Sequence, residues 1–363
     1  MVPENLPAIV RWGIRRSNVV MFVAGFLFDV LTISRIDAWT DLALQLVYLL
    51  CLTALLIFQH RESTGHWAPT GILARWWHYN VELLHFFYGG LLSAYVVLYF
   101  KSSSGLRTLV FFCLLVMLMF LNEMPQVRRA GHRLRLGLYA FCVLSFLNYF
   151  VPIVVGRING WVFLTALILT AGIVWGLADR LAAFEPNRTA ARARAFLPAA
   201  ALCAMIGLLY ILRLVPPVPL SVQFQGIYHD VQRHEGAYTL VYEKPPLWIF
   251  WRRDSRPFHK RPGDHLFYFV RVYAPAAFTH RIFARWEVLD AGGAWRTSDV
   301  IPVSLIRGGR AEGYRTFAEK TNFQVGRWRV SAETEDGRTL ATLTFTVDED
   351  MTEEERTWAQ TRS

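Results

Sequence analysis

The sequence predicts two structural regimes in one chain: an α-helical transmembrane bundle of seven spans, followed by an all-β antiparallel sandwich of immunoglobulin-like architecture. Three observations predict it. Long apolar runs fill residues 1–215, short alternating runs broken by glycine-rich turns fill 216–348, and the basic residues of the first region are shared unequally between alternate connecting segments. Composition agrees, since 54% of the 363 residues are hydrophobic and only 18% are charged, against roughly 25% charged in an ordinary soluble domain.

The spans are the apolar stretches 18–34, 42–58, 81–100, 106–122, 136–155, 161–178 and 196–215. Most approach the roughly 20 residues needed to cross a hydrocarbon core of about 30 Å. The first carries Asp29 and the second is short; the polar connection Arg35-Ile36-Asp37-Ala38-Trp39 between them ends on a tryptophan suited to the interface. Orientation follows from the loops. Thirteen basic residues (Arg11, Arg15 and Arg16, then those of loops two, four and six) face four on the other side, Arg35, Lys101, Arg107 and Arg157. By the positive-inside rule the N-terminus is cytoplasmic and the C-terminal half is periplasmic, in a bacterial inner membrane. Arg15-Arg16 anchors the first span rather than forming an export signal, because no small-residue cleavage site follows it.

Residues 1–215 hold 18 basic and 9 acidic side chains, a net of +9, so most of the formal charge of +10 belongs to the apolar half. Basic loops between spans are topology signals, and this distribution excludes a nucleic-acid partner, which would need a clustered basic face. Cys51, Cys113, Cys142 and Cys203 all lie in apolar runs without metal-ligand spacing, which predicts no disulfide framework, no metal and no cofactor.

Asp29, His85 and Asn148 are the intramembrane polar groups to explain. Asn18, Gly25, Asp29 and Thr32 form one helical stripe, Glu82, His85, Gly89 and Ser93 a second, and Ser145, Asn148 and Pro152 a third. Close packing in lipid uses such small and polar stripes. A proton or ion relay through Asp29, His85 and Glu123, and with it a transporter, is the alternative. Depth favours packing, because the predicted topology puts Asp29 and Asn148 in the outer half and His85 and Glu123 near the cytoplasmic interface.

After Pro216-Pro217-Val218-Pro219 the period changes to two. Alternating runs near 238–243, 264–273, 282–289, 294–305, 326–334 and 338–347 predict strands, and Asp336-Gly337 is the strongest hairpin signal. Residues 349–363 read as a frayed acidic tail. Trp286, Trp295 and Trp328 are assigned to the sandwich core, where large rings dominate burial. His229, His234 and Glu235 lack the spacing of a metal motif, and Gly308-Gly309-Arg310-Ala311-Glu312-Gly313 lacks the Lys-Ser/Thr pair of a phosphate loop.

Two groups remain as binding candidates. Arg310, Tyr314, Arg315 and Lys320 form a cationic set beside a turn, suited to carboxylate or phosphate, with pairing to Glu312 and Glu319 as the plainer alternative. Trp248, Trp251, Arg252 and Arg253, continuing to Arg256, His259, Lys260 and Arg261, combine aromatic and basic groups that suit an anionic lipid surface, a glycan or an anionic polymer, or else make an ordinary strand connection. The expected partners are therefore the bilayer and an envelope protein, glycan or anionic lipid. No catalytic motif is present, so no enzyme is expected.

The chain resembles a bacterial membrane-protein family whose C-terminal module is the domain of unknown function 2914. The resemblance rests on Gly226-Ile227-Tyr228-His229, Ala284-Arg285-Trp286, Gly293-Ala294-Trp295, Gly308-Gly309-Arg310 with Gly313-Tyr314-Arg315, Lys320, Gly326-Arg327-Trp328-Arg329-Val330, Phe345-Thr346-Val347, and, in the spans, Asp29-Val30-Leu31-Thr32 with Arg35-Ile36-Asp37. Ala284 and Ala311 depart from that pattern, which often has a histidine and an acid at these positions. The resemblance implies no activity.

Overall fold

The computed structural model describes residues 39–102, 106–123, 132–215, 218–234, 236–249, 251–275, 279–307, 313–352 and 355–363. The expected span 18–34 with Asp29, the turn Gly308–Glu312 with Arg310, and Glu235 lie outside them.

Among the described residues the first half is helical: α1 (Trp39–Ser63), α2 (Gly71–Trp76), α3 (Asn80–Ser102), α4 (Leu106–Glu123), α5 (His132–Val155), α6 (Gly160–Ala182) and α7 (Arg188–Ile211). Six of these are long, where seven spans were expected, and each of the six overlaps one expected stretch. Five segments, with 71–100 counted as one, are long and apolar enough to cross a membrane. The last helix starts eight residues before the expected 196, because Asn187 caps it through Oδ1 to the Ala190 amide at 3.1 Å and Arg192 pairs with Asp179 at 3.1 Å. It ends before 215 because Arg213 takes φ +59°. The Leu214 amide then reaches the Leu209 carbonyl at 2.9 Å and the Arg213 amide reaches Tyr210 at 3.0 Å, a Schellman closure at a position that usually favours glycine.

The structure divides into two compact units. The first holds the described residues up to Phe100 with Cys113–Phe146 and Thr170–Cys203. Polar side chains link its helices: Arg135 donates to Gln59 Oε1 at 2.7 Å, Gln59 donates to Asn80 Oδ1 at 2.6 Å, and Tyr88 donates to the Arg135 carbonyl at 2.7 Å. Gly90 admits the ring of Tyr48, since a Cβ there would stand 2.9 Å from Tyr48 Cε2.

The second unit holds Lys101–Phe112, Leu147–Leu169 and Ala204–Ser363. Its strands are β1 (Ser221–Tyr228), β2 (Asp230–His234), β3 (Ala237–Glu243), β4 (Phe258–Lys260), β5 (Leu266–Tyr273), β6 (Thr279–Leu289), β7 (Trp295–Arg307), β8 (Tyr314–Lys320), β9 (Gly326–Thr334), β10 (Thr339–Glu349) and β11 (Trp358–Arg362). They form three sheets, in the orders β1-β5-β8, β4-β10-β9-β6-β7 and β11-β3-β2. Every pairing is antiparallel except β4 with β10.

The first sheet is buried on both faces. Leu266, Tyr268, Val270 and Val272 of β5 enter a large core with Ile282, Ala284, Trp286, Trp328, Val330 and Phe345 of the five-stranded sheet. Phe269, between them, enters a smaller core with Tyr228, Val231, Leu240 and Tyr242. Double burial blurs alternation in β1, whereas β8 does alternate in burial but shows no apolar period because the residues it buries are Thr316, Ala318 and Lys320. The Asp336-Gly337 hairpin forms as expected, with Gly337 at φ +75° and its amide 2.9 Å from the Thr334 carbonyl.

Two expectations need correction. Trp286 and Trp328 are core residues, but Trp295 is not: it stands on the outer face of the five-stranded sheet, where the Arg329 guanidinium lies 4.5 Å from its ring while bonding Glu287. The segment expected to fray as a tail ends in β11, paired with β3 from Trp358 to Arg362. Its sequence hides this, because the contact is made by backbone pairing and by one arginine, Arg356, described below.

Trp328→Ala should therefore destabilise the protein by about 3 to 5 kcal/mol, whereas Trp295→Ala should cost under about 1.5 kcal/mol. Thermal and denaturant unfolding of the two detergent-solubilised variants checks this, and equal losses would contradict the assignment of the two rings.

Candidate functional site: a basic cleft at a sheet seam

Strands β1 and β10 meet edge to edge. Gln225 spans the seam, donating to the Thr342 carbonyl at 3.4 Å and accepting from the Tyr268 hydroxyl at 2.8 Å. On this side β4 covers β10 only at Val347–Glu349, which leaves the stretch around Thr344 to be closed by the segment between β3 and β4. Pro245 and Pro246 take that segment out of β3, and a short 3-10 turn at Leu247–Ile249 follows. The Ser255 amide then bonds the Ile227 carbonyl at 2.8 Å, and the Ser255 hydroxyl accepts from the Glu243 amide at 3.3 Å. The segment is thereby fastened over β1.

Beneath it lies a cleft of about 420 Å³ whose walls include Trp251, Arg252, Arg253, Asp254 and Arg256 on one side and Gln225, Tyr228 and Thr344 on the other. Tyr228 forms its floor, packed edge-on against Tyr242 and Phe269 with ring centroids 6.3 Å away in each case. Gly226 makes that position possible, since a Cβ there would meet Tyr228 Oη at 2.6 Å; this gives a steric reason for glycine two residues before the tyrosine. Among the described residues Tyr228 Oη has no hydrogen-bond partner, nor does Asp254 Oδ1, although Asp254 is only 5% exposed. Asp254 Oδ2 stands 2.5 Å from Arg256 Nε.

Burial pushes the Asp254 carboxyl up, against the pull of Arg256 and Arg252, and raises the Tyr228 hydroxyl further above its ordinary value. Arg252 donates to the Arg256 carbonyl, which folds the basic run into one turn. Trp251 is 68% exposed and Trp248 74%. Three guanidinium groups against one carboxylate, buried donors and acceptors at the floor, and an indole at the rim suit an anionic ligand carrying hydroxyl groups.

The second expected group is dispersed. Along β8, Tyr314 packs against the large core, Arg315 stands directly opposite Arg271 of β5, and Arg310 lies outside the described residues. Lys320 is 3% exposed; it pairs with Asp299, bonds Ser298 Oγ at 3.1 Å and lies 5.3 Å from the Trp328 ring centroid. Position parity explains the separation, since 314 and 320 face one side of the strand and 315 the other. Glu319 pairs with His265 at 2.5 Å. In the helices, His85 and Asn148 are buried. His234 is exposed at the edge of β2, 3.4 Å from Gln232 Oε1, well away from the surroundings of His229.

Sequence reading missed a second polar cluster, spread over distant positions. Arg356 reaches Asp264 at 2.9 Å, Asp350 at 3.1 Å and the His259 carbonyl at 2.7 Å, while Arg261 bonds Asp350 at 2.7 Å. Hydrogen bonds from Thr352 and from both arginines hold the Asp350 carboxyl well below the usual carboxylate range. This cluster latches the C-terminal segment. His229 sits against it, its ring 4.0 Å from Phe258 and 5.0 Å from Trp358. Burial, reinforced by Arg356 and His259, lowers the His229 pKa to about 4.

The comparisons with known proteins match one part of this architecture. Residues 279–347 match the family described as Protein of unknown function (DUF2914). The match runs from β6 to β10, so it takes in Thr344 of the cleft but neither the 251–256 segment nor the helices. No curated protein matches. Among solved structures, Pseudomonas fluorescens alkylpurine DNA glycosylase AlkC bound to DNA containing an abasic site analog aligns at 10% identity over 75% of this chain and 72% of that chain, with a TM-score of 0.20. That likeness carries neither fold nor function.

The His229 environment yields a pH dependence with a definite sign. Its folded pKa of about 4 lies below the unfolded value of about 6.5, so between these values the unfolded chain binds more protons and stability falls as pH falls. His280, also lowered chiefly by burial, acts in the same sense. Melting temperatures recorded from pH 7 to 4.5 should decline, and His229→Phe, which keeps the stack on Phe258, should flatten part of that decline. An unchanged slope in the variant would show that His229 takes up its proton alike in the folded and unfolded chain.

Proposed function

We propose that this is an integral membrane protein of the bacterial inner membrane, with seven spans, a cytoplasmic N-terminus and a periplasmic β region that binds an anionic component of the envelope. The sheets β1-β5-β8 and β4-β10-β9-β6-β7 with the large core between them are read as the immunoglobulin-like sandwich, and β11-β3-β2 as an addition to it. Support for the orientation comes from the thirteen-to-four basic asymmetry and from the compact unit that groups 101–112 and 147–169 with the strands. Those segments contain the connections assigned to the outer side.

The observation that carries the binding function is the cleft at the seam. Arg252, Arg253 and Arg256 supply charge, and Tyr228 Oη and Asp254 Oδ1 supply buried polar atoms with no partner among the described residues. A buried donor and acceptor left unmade are costly, and a bound carboxylate or phosphate with neighbouring hydroxyls meets both. The indole of Trp251 offers a stacking face beside them. The chemistry is recognition rather than turnover, and the bundle is the anchor that holds the site near the membrane.

Two measurements test this. A periplasm-active reporter fused after Val347 should work, while one placed in the 122–135 connection should not; the reverse would move the β region to the cytoplasm. For the cleft, tryptophan emission of the detergent-solubilised protein should shift on titration with glucuronate or glucose 1-phosphate and not with glucose. Arg252→Ala combined with Arg253→Ala should weaken that response at least about tenfold, equal to about 1.4 kcal/mol. Equal responses to glucose and glucuronate would remove the anionic reading.

A further inference from the structure

A second cleft, of about 450 Å³, lies where the connection between α5 and α6 meets the start of β6 and the β9–β10 turn; Arg157, Asn159, His280, Arg281, Glu335 and Asp336 are among its walls. All of these residues belong to the second compact unit. We propose that this cleft binds the headgroup of a phospholipid carrying both a phosphate and a primary ammonium, a phosphatidylethanolamine. The proposal rests on the reading that the helices cross a bilayer.

Depth comes first. The connection Gly156–Asn159 has four residues and joins two helices that are each long and apolar enough to span. Four residues cannot leave the headgroup layer, so the cleft they line opens at that level. Trp161, 77% exposed, and the exposed Val154 and Val155 offer apolar surface beside it for acyl chains and the interface.

The connection is held in shape. Ile158 is buried in the large core, Asn159 Oδ1 accepts from the Val162 amide at 2.9 Å, and the Thr279 amide reaches the Gly156 carbonyl at 3.4 Å. Arg157 therefore projects from a fixed backbone rather than from a slack loop.

Charge then selects the headgroup. Asp336 is already committed, since its Oδ2 accepts from Arg338 Nε at 2.8 Å and its Oδ1 from the Thr334 hydroxyl at 2.5 Å. By contrast, among the described residues the side chains of Arg157, Arg281 and Glu335 have neither a hydrogen bond nor an ion pair, Glu335 acting only at a distance on His280, and all three are exposed. Two guanidinium groups suit a phosphate diester, and one carboxylate suits a cation beside it. A quaternary choline would call for an aromatic cage, and among the described residues no aromatic ring other than the His280 imidazole lines the cleft. A primary ammonium, with three donors, suits Glu335 instead.

Native mass spectrometry of the delipidated full-length protein, titrated with phosphatidylethanolamine, phosphatidylcholine or phosphatidylglycerol, tests the proposal. One phosphatidylethanolamine should bind at least about tenfold more tightly than phosphatidylcholine, and Arg157→Ala with Arg281→Ala should lose that binding by about tenfold or more. Glu335→Gln, a near-isosteric change at an exposed position, should erase the preference for phosphatidylethanolamine over phosphatidylglycerol while leaving the affinity for phosphatidylglycerol within about twofold. Equal binding of phosphatidylethanolamine and phosphatidylcholine, or undiminished binding in the double-arginine variant, overturns the proposal and leaves the membrane reading standing. Protein that stays in solution without detergent overturns both.

Discussion

The β region depends on a central strand, β5, that is covered on both faces. Because β5 places Tyr268 and Val270 on one side and Phe269 on the other, β1-β5-β8 must be covered twice. The five-stranded sheet covers one face. The other needs β2, β3 and β11, and β11 reaches its place only because the C-terminal segment is fastened through Arg356 to Asp264 and Asp350. Apolar burial at roughly 25 cal/mol per Å² makes the second cover worth forming, and the ion network fixes where its last strand lies. The basic cleft follows from the same demand, since the segment between β3 and β4 must pass from one layer to the other and crosses the seam of β1 and β10 as it does so.

What was legible in the sequence follows the same logic. Six of the expected apolar stretches correspond to helices, and strands with one wet face, such as β10, were visible as alternation. Strand β1 was not, because burial on both faces leaves no period to read, and β8 was not because the side it buries carries Thr316, Ala318 and Lys320 rather than apolar residues. Strand β11 was hidden for a different reason: its residues are mostly polar, and its place is set by Arg356, whose partners lie far away in sequence. Local composition identified the Trp248–Arg253 run, and the structure brings Trp251, Arg252 and Arg253 into one cleft. It could not reveal Tyr228 or Asp254, whose contribution is a buried polar atom created by the fold. The set around Lys320 looked as promising, yet strand parity divides it and Asp299 neutralises the lysine.

The two clefts differ in what encloses them. At the seam, Asp254 and Tyr228 are buried and Arg256 is already paired, so the groups are held before any ligand arrives, and preorganisation of that kind favours selectivity. At the α5–α6 connection the uncommitted charges are exposed on a fixed backbone, which suits a ligand supplied at high local concentration and bound through charge pattern rather than enclosure.

One junction sets how the strands follow the last helix. Arg338 lays its guanidinium 3.6 Å from the Tyr210 ring centroid, Tyr210 stacks on Phe163 at 3.6 Å with the rings 8° from parallel, and Arg213, in the left-handed conformation, donates to the Gly337 carbonyl at 3.2 Å. The β9–β10 hairpin is thus bolted to the end of α7 and, through Phe163, to α6. A tether of flexible residues would absorb a pull on the β region as slack. Here the path is short and stiff, so a force applied to the β9–β10 hairpin would pass straight into two helices through an arginine lying on a tyrosine ring.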